Sequence, residues 1–171
     1  MLRSLVGSEM CIRDRIYRKK GWDEIREARR KRMAKMGIID SNTDFAEWEN
    51  RKWDELTEQE KDQVAYRMAV YAAQVHCVDY NIGKLIDCLK KNHKMDNTLI
   101  LFMSDNGACA EPYEELGGGK VEEVNNPASS FAPTYGRAWA QVSNTPFRKY
   151  KCRAYEGGIS TPLILSWKGA L

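Results

Sequence analysis

The most regular feature of the chain is a stripe of apolar residues, Val64, Met68, Tyr71, Val75, Val78, Ile82, Leu85, Ile86 and Leu89, recurring every three or four positions. That period predicts one long helix whose continuous apolar face needs a sheet or other helices to cover it. Thr57 and Glu60 stand just ahead of it in the S/T-x-x-E arrangement, in which hydroxyl and carboxylate each satisfy a free backbone N–H at a helix start. The helix is expected to begin there. A second helical pattern runs from Ile16 to Ile39, with Trp22, Ile25, Ala28 or Arg29, Arg32 or Met33, and Met36 in step and Gly37 as its stop. Residues 40–50 read as a connector. Residues 1–15, MLRSLVGSEMCIRDR, hold neither helical nor strand periodicity and read as a leader foreign to the rest of the chain, either an artefact of an assembled reading frame or a mobile terminus.

Thr98 to Met103 is a nearly unbroken apolar run of strand length, and Thr161 to Trp167 (TPLILSW) is a second. Continuous rather than alternating apolarity predicts buried strands covered on both faces, as in the central parallel strands of an α/β layer structure. In such sheets the ligand crevice lies beyond the carboxyl ends of the strands, where Asp105 and Asn106 stand. Between the two runs, residues 108–150 are interrupted by Gly117, Gly118, Gly119, Pro127, Pro133 and Pro146 and read as one long, functional loop.

Composition changes this picture in three places. The net charge of +3 hides an asymmetry, because residues 1–35 carry 12 Lys and Arg against 5 Asp and Glu while the remainder is mildly acidic. The run Arg29 to Arg32 is interleaved upstream with Asp23, Glu24 and Glu27 at helical spacing, which reads as the solvated face of a helix and not as a nucleic-acid surface. Five cysteines, Cys11, Cys77, Cys88, Cys109 and Cys152, have no short paired spacing, so neither a disulfide framework nor a zinc knuckle is implied, and the compartment, periplasmic or secreted against cytoplasmic, stays open. No apolar run is long enough to span a membrane.

Two places could carry chemistry. Asp105 and Asn106 are adjacent oxygen donors at a strand end, followed by a glycine that lets the backbone turn away, which suits a hard divalent cation. An Asp-Asn-Gly turn whose side chains merely bond nearby backbone explains the same residues. Lys151 lies among Arg148, Lys149, Tyr150, Arg153 and Tyr155, just before Gly157-Gly158, where an ammonium could bind a sulfate or phosphate oxygen. A solvated loop lysine is the plainer alternative. Gly117-Gly118-Gly119-Lys120 is not a phosphate-binding loop, since Val121 stands where Ser or Thr should follow the lysine. His76 and His93 are too few for a histidine metal site, and His76 reads as a half-buried packing residue.

Three segments together carry a resemblance: Tyr71-Ala72-Ala73-Gln74 through Asp79-Tyr80-Asn81-Ile82-Gly83, Asp96-Asn97-Thr98 to Met103-Ser104-Asp105-Asn106-Gly107, and Tyr150-Lys151 to Tyr155-Glu156-Gly157-Gly158-Ile159. In this order and spacing, with the Tyr135 to Ala140 loop between them, they look like bacterial arylsulfatases from about Ile16 to the last residue. The resemblance implies an incomplete alkaline-phosphatase-like three-layer α/β fold with a mostly parallel central sheet, holding Ca2+ or sometimes Mg2+. It implies that Asp105 and Asn106 are metal ligands, that Lys151 contacts sulfate, and that the substrate is a small-molecule sulfate ester. The family's nucleophile is a formylglycine hydrate made from the Cys or Ser of a C/S-x-P-x-R motif, whose hydroxyl attacks sulfur.

That motif does not occur here. Cys11-Ile12-Arg13-Asp14-Arg15 has its final arginine at the right offset but Arg13 in place of the proline, and it lies in the leader. The upstream aspartates, the leaving-group His and Lys, and the C-terminal subdomain of such enzymes have no counterpart either. The expectation is therefore a partial catalytic domain over residues 16–171 that turns over nothing alone and, with apolar strand faces open, aggregates or stays partly molten. Two other readings remain open. One is a phosphoester or phosphonate hydrolase of the same superfamily; the other is a non-catalytic protein that binds an acidic partner through the helix from Arg18 to Lys35.

Overall fold

The computed structural model describes residues 2–124, 126 and 133–168, with side chains from residue 13 onward. Cys11 and Ile12, as side chains, and Pro127 lie outside the described residues. Helix α1 runs Leu2–Lys35 and helix α2 Glu58–Lys91, and the two pack side by side. A 3-10 turn at Trp53–Glu55 leads into α2, whose N-terminus is capped as the sequence predicts. The Thr57 hydroxyl accepts from the Glu60 N–H (3.2 Å), and the Glu60 carboxylate accepts from the Thr57 N–H (2.8 Å).

Helix α1 corrects one expectation. Residues 2–15 are helical and continue without a break into residues 16–20, although their sequence shows no amphipathic period. The break comes at Gly21 (φ 65°), inside the stretch that periodicity marks as one helix. The ring of Trp53 sits there at a distance that leaves no room for a side chain: a Cβ on Gly21 would meet the indole at 2.3 Å. Helix α1 then stops at Gly37 (φ 69°), with Ile38 N–H reaching back to the Met33 carbonyl and Gly37 N–H to that of Ala34, both at 3.0 Å.

The core lies between α1, the first half of α2 and helix α3 (Gly136–Ser143). The third helix is a further correction, because the glycines and prolines around it make residues 108–150 read as loop throughout. Its fixed point is Trp139, which is fully buried, packs edge-on to Tyr17 (5.4 Å) and Trp22 (5.8 Å), and donates its indole N–H to the Val64 carbonyl of α2 at 2.9 Å. Eight residues are too few for an isolated helix to persist, so packing holds what local propensity does not. Arg26 and Arg30 of α1 do not simply face solvent: their guanidinium groups lie over Phe45, at 4.2 and 5.2 Å, in the connector.

Strands β1 (Ile100–Met103) and β2 (Leu163–Ser166) form where the apolar runs predict them. Their arrangement differs. The pair is antiparallel, with Ile100 opposite Ser166 and Met103 opposite Leu163. Leu101, Phe102, Met103, Leu163, Ile164 and Leu165 are all exposed, so the mostly parallel, doubly covered sheet is not what the described residues form. The residues are apolar enough for a buried sheet, but among the described residues no layer packs on either face. The α2 stripe divides in the same way: Val64 and Met68 are buried, whereas Val75, Val78 and Leu85 are exposed.

Candidate functional site

Beyond the end of β1 the chain bends at Asp105-Asn106-Gly107, so the two candidate ligands stand at a strand's carboxyl end as the sequence places them. The Ser104 hydroxyl donates to the Asn106 carbonyl (2.8 Å) and the Asn106 amide donates to the Gly107 carbonyl (2.7 Å). Side-chain bonding to nearby backbone carbonyls is thus present, but it uses the Asn106 amide nitrogen, and among the described residues the Asn106 side-chain oxygen stays uncommitted. Asp105 is exposed and its carboxylate has no protein partner among the described residues.

Gly107 then presses against the second candidate segment. Its N–H donates to the Gly158 carbonyl at 3.0 Å, and a Cβ on Gly107 would fall 1.7 Å from the Gly157 carbonyl oxygen. Gly157 is equally enclosed, since a Cβ there would meet the Lys149 carbonyl at 2.2 Å. Glycine is required on both sides because two backbones occupy the space that a methyl would need. One residue further, the Lys151 N–H donates to the Ala108 carbonyl at 3.0 Å. The fold therefore brings the Asp105-Asn106 turn and the Lys151 loop, more than forty residues apart in sequence, into direct backbone contact.

Asn144, which the sequence reading did not single out, organises this junction. Its side-chain oxygen accepts from the Ala108 N–H (3.1 Å), and its amide donates to the carbonyls of Lys149 (3.0 Å) and Gly157 (2.7 Å). One amide so ties three segments, and since the helix it caps, α3, is itself not legible in the sequence, no local pattern marks it. Glu49 was likewise missed. It accepts from Arg148 at 3.2 Å and from Lys149; burial works against its charged form, but these two hydrogen bonds prevail and hold its carboxyl below the usual range.

Lys151 itself pairs with Glu111, Nζ to Oε2 at 3.1 Å. The hydrogen bond from Lys151 is the main cause that lowers the Glu111 carboxyl, and the same bond raises the Lys151 ammonium. The aromatic and cationic surround expected of Lys151 is real but self-contained: Arg148 lies over Tyr155 (4.7 Å) and Arg153 over Tyr113 (5.1 Å), while Tyr150 is buried. Lys151 is the cation of this group whose partner is a half-exposed carboxylate that an incoming anion could displace.

The donor chemistry at Asp105 and Asn106, one carboxylate and one amide oxygen, is of the type that calcium or magnesium takes. Among the described residues no group of three or more acidic, histidine or cysteine side chains converges, so these two oxygens are a partial ligand set. The discarded Gly117-Gly118-Gly119 run has a different role. The buried Arg67 guanidinium donates to the carbonyls of Gly118 (2.6 Å), Gly119 (2.6 Å) and Thr134 (2.8 Å), pinning that loop to α2. No described helix is long and apolar enough to cross a membrane.

Comparison with known proteins gives a consistent result. A family model described as Sulfatase matches residues 13–171. An uncharacterized sulfatase of Schizosaccharomyces pombe is 36% identical over 162 residues, covering 86% of this chain and 29% of that protein. An arylsulfatase of Klebsiella aerogenes is 33% identical over 159 residues, 87% of this chain and 34% of that protein. The N-acetylgalactosamine-6-sulfatase of Homo sapiens is 31% identical over 99 residues, 58% of this chain and 14% of that protein. The chain spans about a third of the length of the first two of these relatives. Since the match takes in both strands, the Asp105 to Gly107 turn and the Lys151 to Gly158 loop, the chain belongs to the sulfatase family.

Proposed function

We propose that this chain supplies the downstream part of a sulfatase active site, with Asp105 and Asn106 as ligands to a divalent cation, Ca2+ or Mg2+, and Lys151 as the group that binds the sulfate of a small-molecule ester. The observation that carries the reading is the backbone junction at Gly107 and Gly157-Gly158, which sets the ligand turn beside the lysine loop. A cation bound there would draw electron density from sulfate oxygens. Asp105 would bring the negative charge that holds it, and Asn106 a neutral oxygen held in place by its bond to Gly107. Lys151, exchanging Glu111 for a sulfate oxygen, would stabilise charge that builds on the ester in the transition state.

Residues 1–15 stand outside this reading as a leader, and residues 16–171 form a partial catalytic domain. Nucleophilic attack requires the formylglycine of a C/S-x-P-x-R motif, which these 171 residues do not contain, so the chain by itself is expected to be inactive. The test is a chimera in which residues 16–171 replace the matching segment of the Klebsiella aerogenes arylsulfatase, assayed on an aryl sulfate beside the chain alone. The chimera should turn over and the chain alone should not. Asp105→Ala and Lys151→Ala should each lower kcat/KM of the chimera by roughly a hundredfold or more, the size of loss expected for a group that stabilises developing charge. A chimera that is equally active with either substitution removes these residues from the site.

A further inference from the structure

The thiols that sequence spacing leaves unassigned are not scattered in space. Cys109 and Cys152, forty-three positions apart, both lie against one carboxyl group: Cys109 Sγ is 3.6 Å from Glu111 Oε2 and Cys152 Sγ is 3.7 Å from Glu111 Oε1. The residues just before them are joined by the Lys151 N–H to Ala108 carbonyl bond of 3.0 Å. That bond brings the two backbones together at the residues immediately ahead of Cys109 and Cys152, the kind of close approach that a disulfide, with about 4.4–6.8 Å between Cα atoms, requires. We propose that Cys109 and Cys152 form a reversible intramolecular disulfide, a redox-closed clasp across the base of the Lys151 loop. The inference stands on the placement of the two thiols and is independent of the role given to Lys151.

Their accessibilities differ in a way that orders the steps. Cys152 is exposed and Cys109 is half-buried. With glutathione disulfide as oxidant, the Cys152 thiolate attacks one sulfur, forming a mixed disulfide and releasing one glutathione thiolate. The Cys109 thiolate then attacks the Cys152 sulfur, the protein S–S bond forms, and the second glutathione leaves. Two protein thiols lose two protons and two electrons, and one glutathione disulfide becomes two glutathione thiols. Cys77 and Cys88 provide an internal contrast, since eleven residues of α2 separate them by roughly 16 Å along the axis, beyond the reach of a disulfide.

The test incubates the full chain with glutathione disulfide, blocks remaining thiols, and maps disulfides by non-reducing tryptic mass spectrometry. The expected product joins the peptide of residues 95–120 to that of residues 152–153 with loss of two free thiols. The same oxidation in strong denaturant should lose the preference for this pair. In Cys152→Ser, Cys109 should remain reduced under conditions that oxidise it in the parent chain, because the half-buried thiol is reached through the exposed one. Separate glutathione adducts on Cys109 and Cys152, pairing of either with Cys77, Cys88 or Cys11 as the main product, or an identical distribution in denaturant would each overturn the proposal.

Discussion

The two halves of α2 carry the same kind of apolar stripe and meet opposite fates. From Val64 to Ala73 the helix lies under α1, α3 and the Trp53 turn, and eight of these ten residues are buried. From Val75 to Leu89 the stripe continues in register, yet Val75, Val78 and Leu85 are exposed, as are strands β1 and β2 beyond it. An apolar face records what a segment is built to bury, and coverage depends on which partners are present. The covered half has Trp22, Trp53 and Trp139, which contribute more apolar area per residue than the Val, Ile and Leu of the open half can gain from one another. Relatives about three times as long have ample further chain with which to cover the rest.

The comparison can be broken at its strongest point by Trp139→Ala, which removes the indole that joins α3 to α1 and α2 together with its bond to the Val64 carbonyl. A loss of about 3–5 kcal/mol is expected, read from equilibrium denaturation followed by tryptophan fluorescence. A loss below about 1 kcal/mol, no more than an average point substitution, would mean the aromatic cluster is not the core. Next in size, Arg67→Met strips a charged donor from the carbonyls of Gly118, Gly119 and Thr134 and should cost roughly 1.5–3 kcal/mol. Faster limited proteolysis within residues 117–134 would locate the effect in the loop.

On the open half the effect should nearly vanish. Leu85 is 61% exposed, so Leu85→Ser is expected to change stability by no more than about 0.5 kcal/mol. Hydrogen exchange sharpens the contrast without any substitution, because amides of residues 64–73 should be protected well beyond those of residues 78–89. Equal protection along α2 would remove the distinction between the halves.

The smallest expected effect concerns Lys151 and Glu111, and its sign comes from both shifts. The depressed Glu111 carboxyl contributes stability that is present above its unfolded-state pKa and lost as pH falls through its folded value. The elevated Lys151 ammonium contributes stability that is present below its unfolded-state pKa and lost as pH rises through its folded value. The pair therefore holds across the whole neutral range. Replacing Lys151 by Met should move the Glu111 midpoint upward in a carboxyl titration by NMR, and an unmoved midpoint would show that the ion pair does not form in solution.

Much of the local architecture was legible in the residues. Thr57 and Glu60 marked the start of α2 because a capping box is a contact between near neighbours, and Gly37 marked the end of α1 for the same reason. Strand positions were legible from apolar runs, and the Asp105 turn from its place after one of them. Helix α3 was not legible, since Gly136 and the surrounding prolines argue against it and only Trp139, packing on residues more than seventy positions away, argues for it. The helix over residues 2–15 was not legible either, because it forms without an amphipathic period.

The sequence by itself determined the family, the identity of Asp105, Asn106 and Lys151 as candidates, the end of α1, the start of α2 and the positions of β1 and β2, because these depend on contacts within a few residues or on the match of ordered motifs. Tertiary structure alone decided that β1 and β2 pair antiparallel and stay open, that Asn144 ties the turn to the lysine loop, that Glu111 faces Lys151, and that Cys109 and Cys152 share its carboxyl group. These arrangements bring together segments roughly forty to sixty-five positions apart. Nothing in a local pattern specifies such a partner, which is fixed only when close packing, as at Gly107 and Gly157, leaves one way for the backbones to meet.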